Sequence, residues 1–203
     1  WWVASLGTCK LSEVAPTPDN TAGKDFPPQP SAAAIEDYAL IGDCHTAALV
    51  SRSGAIDWLC WPRFDSPAVF AALLGTPANG SWQISPAADH FRTARRYRPG
   101  TLILETEFRT DSGSVVLIDC MTPENSAVVR IVEGQSGSVS MQLRLALRFD
   151  YGSSIPWVTR LHHRHGFTAI AGPDQVVLHS DVPLRPQDLS HTAAFEVASG
   201  EQV

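Results

Sequence analysis

Few residues in this chain combine the types and spacings that chemistry requires. Asp43, Asp57, Asp65, Glu105 and Glu107 are the carboxylates set among apolar or turn residues. Glu105 and Glu107 are two apart on a strand, so they share a face about 7 Å from each other, a spacing that suits paired acid chemistry. The competing reading, a solvated outer face, is favoured because the strand alternates cleanly. Asp57 stands between Ile56 and Trp58 and reads as a hydrogen-bonded structural acid. His162, His163 and His165 place two imidazoles, those of His163 and His165, on one strand face, but no cysteine or carboxylate sits at ligand spacing nearby, so a polar loop or edge strand is expected and no metal. Trp58, Trp82 and Trp157, with Trp61 beside them, offer flat faces on which a sugar could stack; tryptophan in a β protein also serves as core. No nucleophile elbow, phosphate loop, zincin helix or dinucleotide fingerprint occurs. No cofactor is expected.

One segment is denser in special residues than a core needs. Pro62-Arg63-Phe64-Asp65-Ser66-Pro67 is bracketed by prolines that fix φ and hold a loop in one shape. Arg63 brings a planar donor fork and Asp65 an acceptor, a pair suited to sugar hydroxyls or to a neighbouring loop. Arg63, Asp65 and Trp61 are therefore the substrate-proximal candidates. The structural alternatives are that Arg63 and Asp65 pair with each other, or that Asp65 caps a short helix begun by Pro67.

The elements that would position these residues are almost all strands. Leu102, Leu104, Thr106 and Phe108 alternate with Ile103, Glu105, Glu107 and Arg109. Ser114–Cys120 is apolar on both faces until Asp119. Ala127–Val132 follows, then turn residues Glu133–Gly137, then a long alternation from Val139 to Phe149 that must span two layers or bend between them. Shorter strands are predicted at 38–42, 46–50, 55–60, 82–85, 167–171, 175–180 and 193–198. The single helical candidate is Pro67–Leu74. The pattern predicts an all-β fold, a large antiparallel sandwich with at most one or two short helices. Residues 1–34 hold five prolines and no period, and read as a flexible Pro/Ala-rich leader, with order beginning near Ile35 and one domain over 35–203.

Composition limits the function. The 203 residues are 44% hydrophobic and 18% charged, with net charge −6. That is globular and acidic, which argues against a nucleic-acid partner. The basic cluster Arg92, Arg95, Arg96 and Arg98 reads as a solvated strand edge. No apolar run reaches membrane-spanning length, and no basic n-region precedes an apolar core at Trp1, so no membrane and no signal peptide are expected. Cys9, Cys44, Cys60 and Cys120 match no zinc or redox spacing; free thiols and a cytoplasmic setting are the expectation.

The stretch from Ile35 to Pro67, with Asp37-Tyr38-Ala39-Leu40-Ile41-Gly42-Asp43-Cys44, Val50-Ser51-Arg52 and Ile56-Asp57-Trp58-Leu59-Cys60 before Pro62–Pro67, resembles the N-terminal domain of bacterial trehalase and glucoamylase-like proteins of glycoside hydrolase family 15. The resemblance continues in Arg95–Leu102, Leu104–Phe108, Arg130–Gly134, Arg148–Gly152 and Pro156–Val158. It implies a supersandwich of two antiparallel sheets. It also implies a parent enzyme that hydrolyses α-glucosidic bonds with inversion, its two acids on an (α/α)6 barrel C-terminal to this domain. On that reading the chain is non-catalytic by itself, buttresses the barrel and shapes its active-site rim, and α-glucosides are possible ligands. The rival readings are a stand-alone carbohydrate-binding module and a scaffold or assembly domain. A strand partnering the one before Gly200 is expected beyond Val203.

Overall fold

The computed structural model describes the backbone of residues 2–6 and the residues 34–124, 126–162 and 164–203. Fifteen strands are found there. They are β1 Trp2–Leu6, β2 Ala39–Gly42, β3 Ala47–Val50, β4 Ala55–Cys60, β5 Ala68–Phe70, β6 Ser81–Pro86, β7 Arg92–Tyr97 and β8 Leu104–Thr110. Then come β9 Gly113–Thr122, β10 Ala127–Ala146, β11 Trp157–Arg160, β12 Gly166–Ala171, β13 Asp174–His179, β14 Arg185–Gln187 and β15 Ser190–Ala198. Only single turns of 3-10 helix interrupt them.

Every pairing is antiparallel, and one strand belongs to both sheets. The N-terminal half of β10 lies in a sheet ordered β11-β12-β13-β1-β10-β9-β8-β7. Its C-terminal half lies in a second sheet, β14-β15-β10-β6-β4-β3-β2, with β5 along the end of β4. The expected all-β antiparallel sandwich is the architecture found. The alternation along Val139, Met141, Leu143 and Leu145 buries one side of β10, and these residues join Ile56, Ile84, Phe108, Leu117, Val132 and Leu178 in one core. Burial of apolar area between the two sheets is the main stabilising term.

Three local expectations are corrected. Glu133–Gly137 is no turn: β10 runs through it for 20 residues. The glycines there permit a bulge between Gly134 and Ser136 and a close approach of backbones, since a Cβ on Gly134 would lie 1.9 Å from the Ala198 carbonyl. Pro67–Leu74 is not a helix but β5 followed by a 3-10 turn, because Ala68, Val69, Phe70 and Ala71 are all buried and the segment pairs with β4. Order does not begin near Ile35: Trp2–Leu6 is a strand, filling the gap between β10 and β13 and pairing with both. The rest of the segment read as a leader, 7–33, is outside the described residues. The turn expected at Gly200 is present, and the chain comes back on β10, where Val203 exchanges two backbone hydrogen bonds with Val132.

Candidate functional site

The loop 61–67 joins β4 to β5. Phe64 N–H donates to the His45 carbonyl at 3.1 Å, Ser66 N–H to the Arg63 carbonyl at 3.1 Å, and Arg63 N–H to Ser66 Oγ at 3.2 Å. Trp61-Pro62 is a cis peptide. Within this frame Arg63 Nε donates to Asp65 Oδ1 at 2.9 Å, with the two side chains 67% and 74% exposed. The carboxylate of Asp65 is held low by that hydrogen bond. The pair is thus made, and it stands in solvent with spare donors on the guanidinium and a spare carboxylate oxygen. Trp61 is buried against the core, its indole N–H without a partner among the described residues.

The tryptophans divide. Trp82 is 1% exposed and carries the Arg130 guanidinium 5.2 Å from its ring centroid, which leaves no face for a sugar. Trp58 is half-buried, meeting the Tyr151 ring at 6.1 Å and the small cluster of Cys60, Ala68 and Ala71. Trp157 is 80% exposed at the start of the edge strand β11. It borders an open cleft of about 480 Å³ with Ile155, Val158, Phe167 and Leu189. Ile155, Val158 and Leu189 are exposed as well, so an apolar rim surrounds this cleft. These apolar residues lie together, unlike apolar residues scattered singly over a surface, and Arg148, Arg160, Asp188 and His191 complete the lining.

The paired acids are each held by arginines. Glu105 accepts from Arg96 Nε and Arg98 Nε, each at 2.7 Å, and Glu107 binds Arg109 in a fork at 2.8 and 3.0 Å. The basic cluster on the edge strand β7 is therefore partly neutralised by its own hairpin, and Arg95 donates across to the Val50 carbonyl at 3.1 Å. Asp57 sits at the bulge in β4, where it accepts from Tyr38 Oη at 2.9 Å. Burial raises its carboxyl, while the Tyr38 hydrogen bond and the Arg130 charge pull it back. Burial first, then the Asp57 charge, pushes the Tyr38 phenol up. Cys44, Cys60 and Cys120 are free thiols. No group of His, Cys, Asp and Glu that could hold a metal is found among the described residues; His163 lies outside them.

Sequence reasoning missed the most buried polar group. Arg130 and Asp119 are both fully buried, joined at 2.8 Å, and the guanidinium also donates to the carbonyls of Trp82 and Gly54. Asp119 was visible as a break in an apolar run, whereas its partner on β10 could be found only through the register that sets Asp119 opposite Arg130.

Two sheets sharing one long strand, with an apolar cleft at an edge and no assembled pair of free acids among the described residues, define an all-β antiparallel sandwich domain. The chain belongs to the trehalase-like N-terminal family, whose model matches residues 28–197. The trehalase of Mycolicibacterium smegmatis is 40% identical over 165 residues, covering 70% of this chain and 24% of that protein. The trehalase of Mycobacterium tuberculosis is 34% identical over 147 residues, 62% of this chain and 21% of its own. Trehalase 1 of Sulfolobus acidocaldarius is 33% identical over 149 residues, 73% of this chain and 26% of its own. The chain thus spans about a quarter of the length of these relatives, and relatives of the domain occur in archaea as well as bacteria. No solved structure matches it.

Proposed function

We propose that this domain supports and orients the catalytic part of a longer inverting glycoside hydrolase, of trehalase or glucoamylase type within family 15, and is not catalytic by itself. The partner is the (α/α)6 barrel that would carry both catalytic acids. The observation that carries this reading is the apolar rim of Ile155, Trp157, Val158 and Leu189, which offers area to bury against another domain. The chain reaches this rim from the turn at Asp150–Gly152, against which packs β5, the strand that follows loop 61–67. Arg63 and Asp65 would then face the mouth of the barrel's active site. Inversion needs two carboxyl groups about 6.5–9.5 Å apart across the bond. Here Glu105, Glu107 and Asp65 are each committed to an arginine, and Asp57 to a phenol. The free thiols accord with a cytoplasmic setting, and no helix among the described residues is long and apolar enough to cross a membrane.

A second reading, a carbohydrate-binding module, is favoured by Trp157 alone, whose ring is open to stacking. Titration of the chain with maltose and trehalose, read by tryptophan fluorescence, separates the two. A supporting domain shows no saturable response and releases no glucose from either sugar. Saturable binding lost in Trp157→Ala would favour the module. Glucose release abolished by changing one carboxylate of this chain would overturn the supporting role.

A further inference from the structure

Beside the Trp157 cleft lies a second cleft of different character, between the β11–β12 hairpin and the segment leading into β14. Arg160, His162, Arg164 and His165 come from the hairpin, and His191 from β15. Its remaining walls include Phe167, Pro183 and Leu184, and none of its described lining residues is a carboxylate. The cleft measures about 590 Å³, the size of a small-molecule site.

The chain as a whole has net charge −6. Several of its arginines carry carboxylates of their own: Arg52 binds Asp37, Arg63 binds Asp65, Arg96 and Arg98 share Glu105, and Arg109 takes Glu107. A cleft bordered by Arg144 and Arg185 also has no carboxylate among its described lining residues, but it has no histidine either. Neither Arg160 nor Arg164 has a carboxylate partner among the described residues. His191 is stacked on Phe167 with ring centroids 4.2 Å apart. Burial, and then the Arg160 charge, hold its imidazole below its ordinary value, so near neutral pH it adds a hydrogen-bonding group and no further repulsion. Guanidinium groups set against apolar walls are less screened than guanidinium groups in open water, and a concave cationic surface focuses its field on small anions.

We infer that this cleft binds a phosphate group, with the Arg160 and Arg164 guanidinium forks donating to its oxygens. Planar forks with two outward N–H groups match tetrahedral oxyanions, which accept several charge-assisted hydrogen bonds at once. A neutral sugar would leave both guanidinium groups uncompensated. Arg160, Phe167 and His191 border both clefts, so the inference is made for this chain by itself.

The test is calorimetric titration of the full chain with inorganic phosphate in one arm and glucose 6-phosphate in the other, at constant ionic strength. Saturable binding is expected in at least one arm. Preference for the ester assigns a phosphate ester, and equal or tighter binding of inorganic phosphate assigns the free anion; either supports the inference. Affinity should fall at least tenfold in Arg160→Ala/Arg164→Ala and partly return in Arg160→Lys/Arg164→Lys, which keeps the charges without the forks. Both arginines are exposed, so an unchanged thermal melt is expected to show the variants folded. No saturable binding in either arm, or binding that survives Arg160→Ala/Arg164→Ala, overturns it.

Discussion

Arg130 on β10 stands directly opposite Asp119 on β9, with both side chains at 0% exposure and Nε 2.8 Å from Oδ1. The same guanidinium reaches the carbonyls of Trp82 in the other sheet and of Gly54 in the turn before β4, so one residue ties the two layers together through their common core. A buried charge pair is tolerated only when its remaining hydrogen-bonding capacity is satisfied, and here four acceptors surround one guanidinium.

Removing one partner should therefore be severe. Arg130→Met leaves the Asp119 carboxylate buried and two carbonyls without donors, and is expected to cost about 3–5 kcal/mol. Arg130→Met combined with Asp119→Leu should recover much of that loss. Urea unfolding of the three proteins checks this; a single variant as stable as the parent would mean that the pair is replaced by water.

Glu105 supplies an acid-sensitive contribution. Its hydrogen bonds from Arg98 and then Arg96 lower its carboxyl from 4.5. A depressed carboxylate stabilises the fold above 4.5 and loses that contribution as pH falls through its folded value. The two arginine side chains are 80% and 46% exposed, so the gain is under about 1 kcal/mol. Melting curves of Glu105→Gln should lie slightly below those of the parent at pH 7 and converge with them in acid.

His191 acts in a higher window. Its folded value lies below the ordinary 6.5, through burial and then through Arg160. The unfolded chain takes up this proton first, so the neutral ring's contribution is complete above 6.5 and declines as pH drops from there toward the folded value. His191→Phe keeps a ring against Phe167 and removes the titration. Its stability should fall less than that of the parent between pH 7 and pH 5, and parallel curves would remove His191 as the cause.

The Arg63–Asp65 pair permits a test of the rim reading in the longer protein. Because the pair is exposed, Arg63→Ala should shift the melting temperature little. If loop 61–67 faces the active-site mouth, the same change raises KM or lowers kcat at least severalfold. Stability and activity falling together would return the pair to a purely structural role.

The alternation of apolar and polar residues made much of the fold legible. Leu104–Phe108 and Val139–Leu145 announce half-buried strands because a period of two places every second side chain in the core. The loop 61–67 was legible as a rigid frame from its two prolines. Local rules also misled where distant segments decide the outcome. Pro67 followed by Ala, Val and Phe satisfies a helix start, yet the segment extends because β4 offers an open edge. Gly134 and Gly137 look like a hairpin tip, yet they let β10 bend and admit the chain returning after Gly200.

The sequence by itself determined that this is an acidic, antiparallel β domain with motifs of a carbohydrate-active family, since composition, periodicity and motif are properties of the chain read in order. Only the tertiary structure decided which tryptophan stays open, which acids are already paired, and that Arg160, Arg164 and His191 line one cleft. Those facts depend on strand register and on which sheet face each strand presents. Both are set by pairings between residues as far apart as Trp2 and Arg130, which no local pattern encodes.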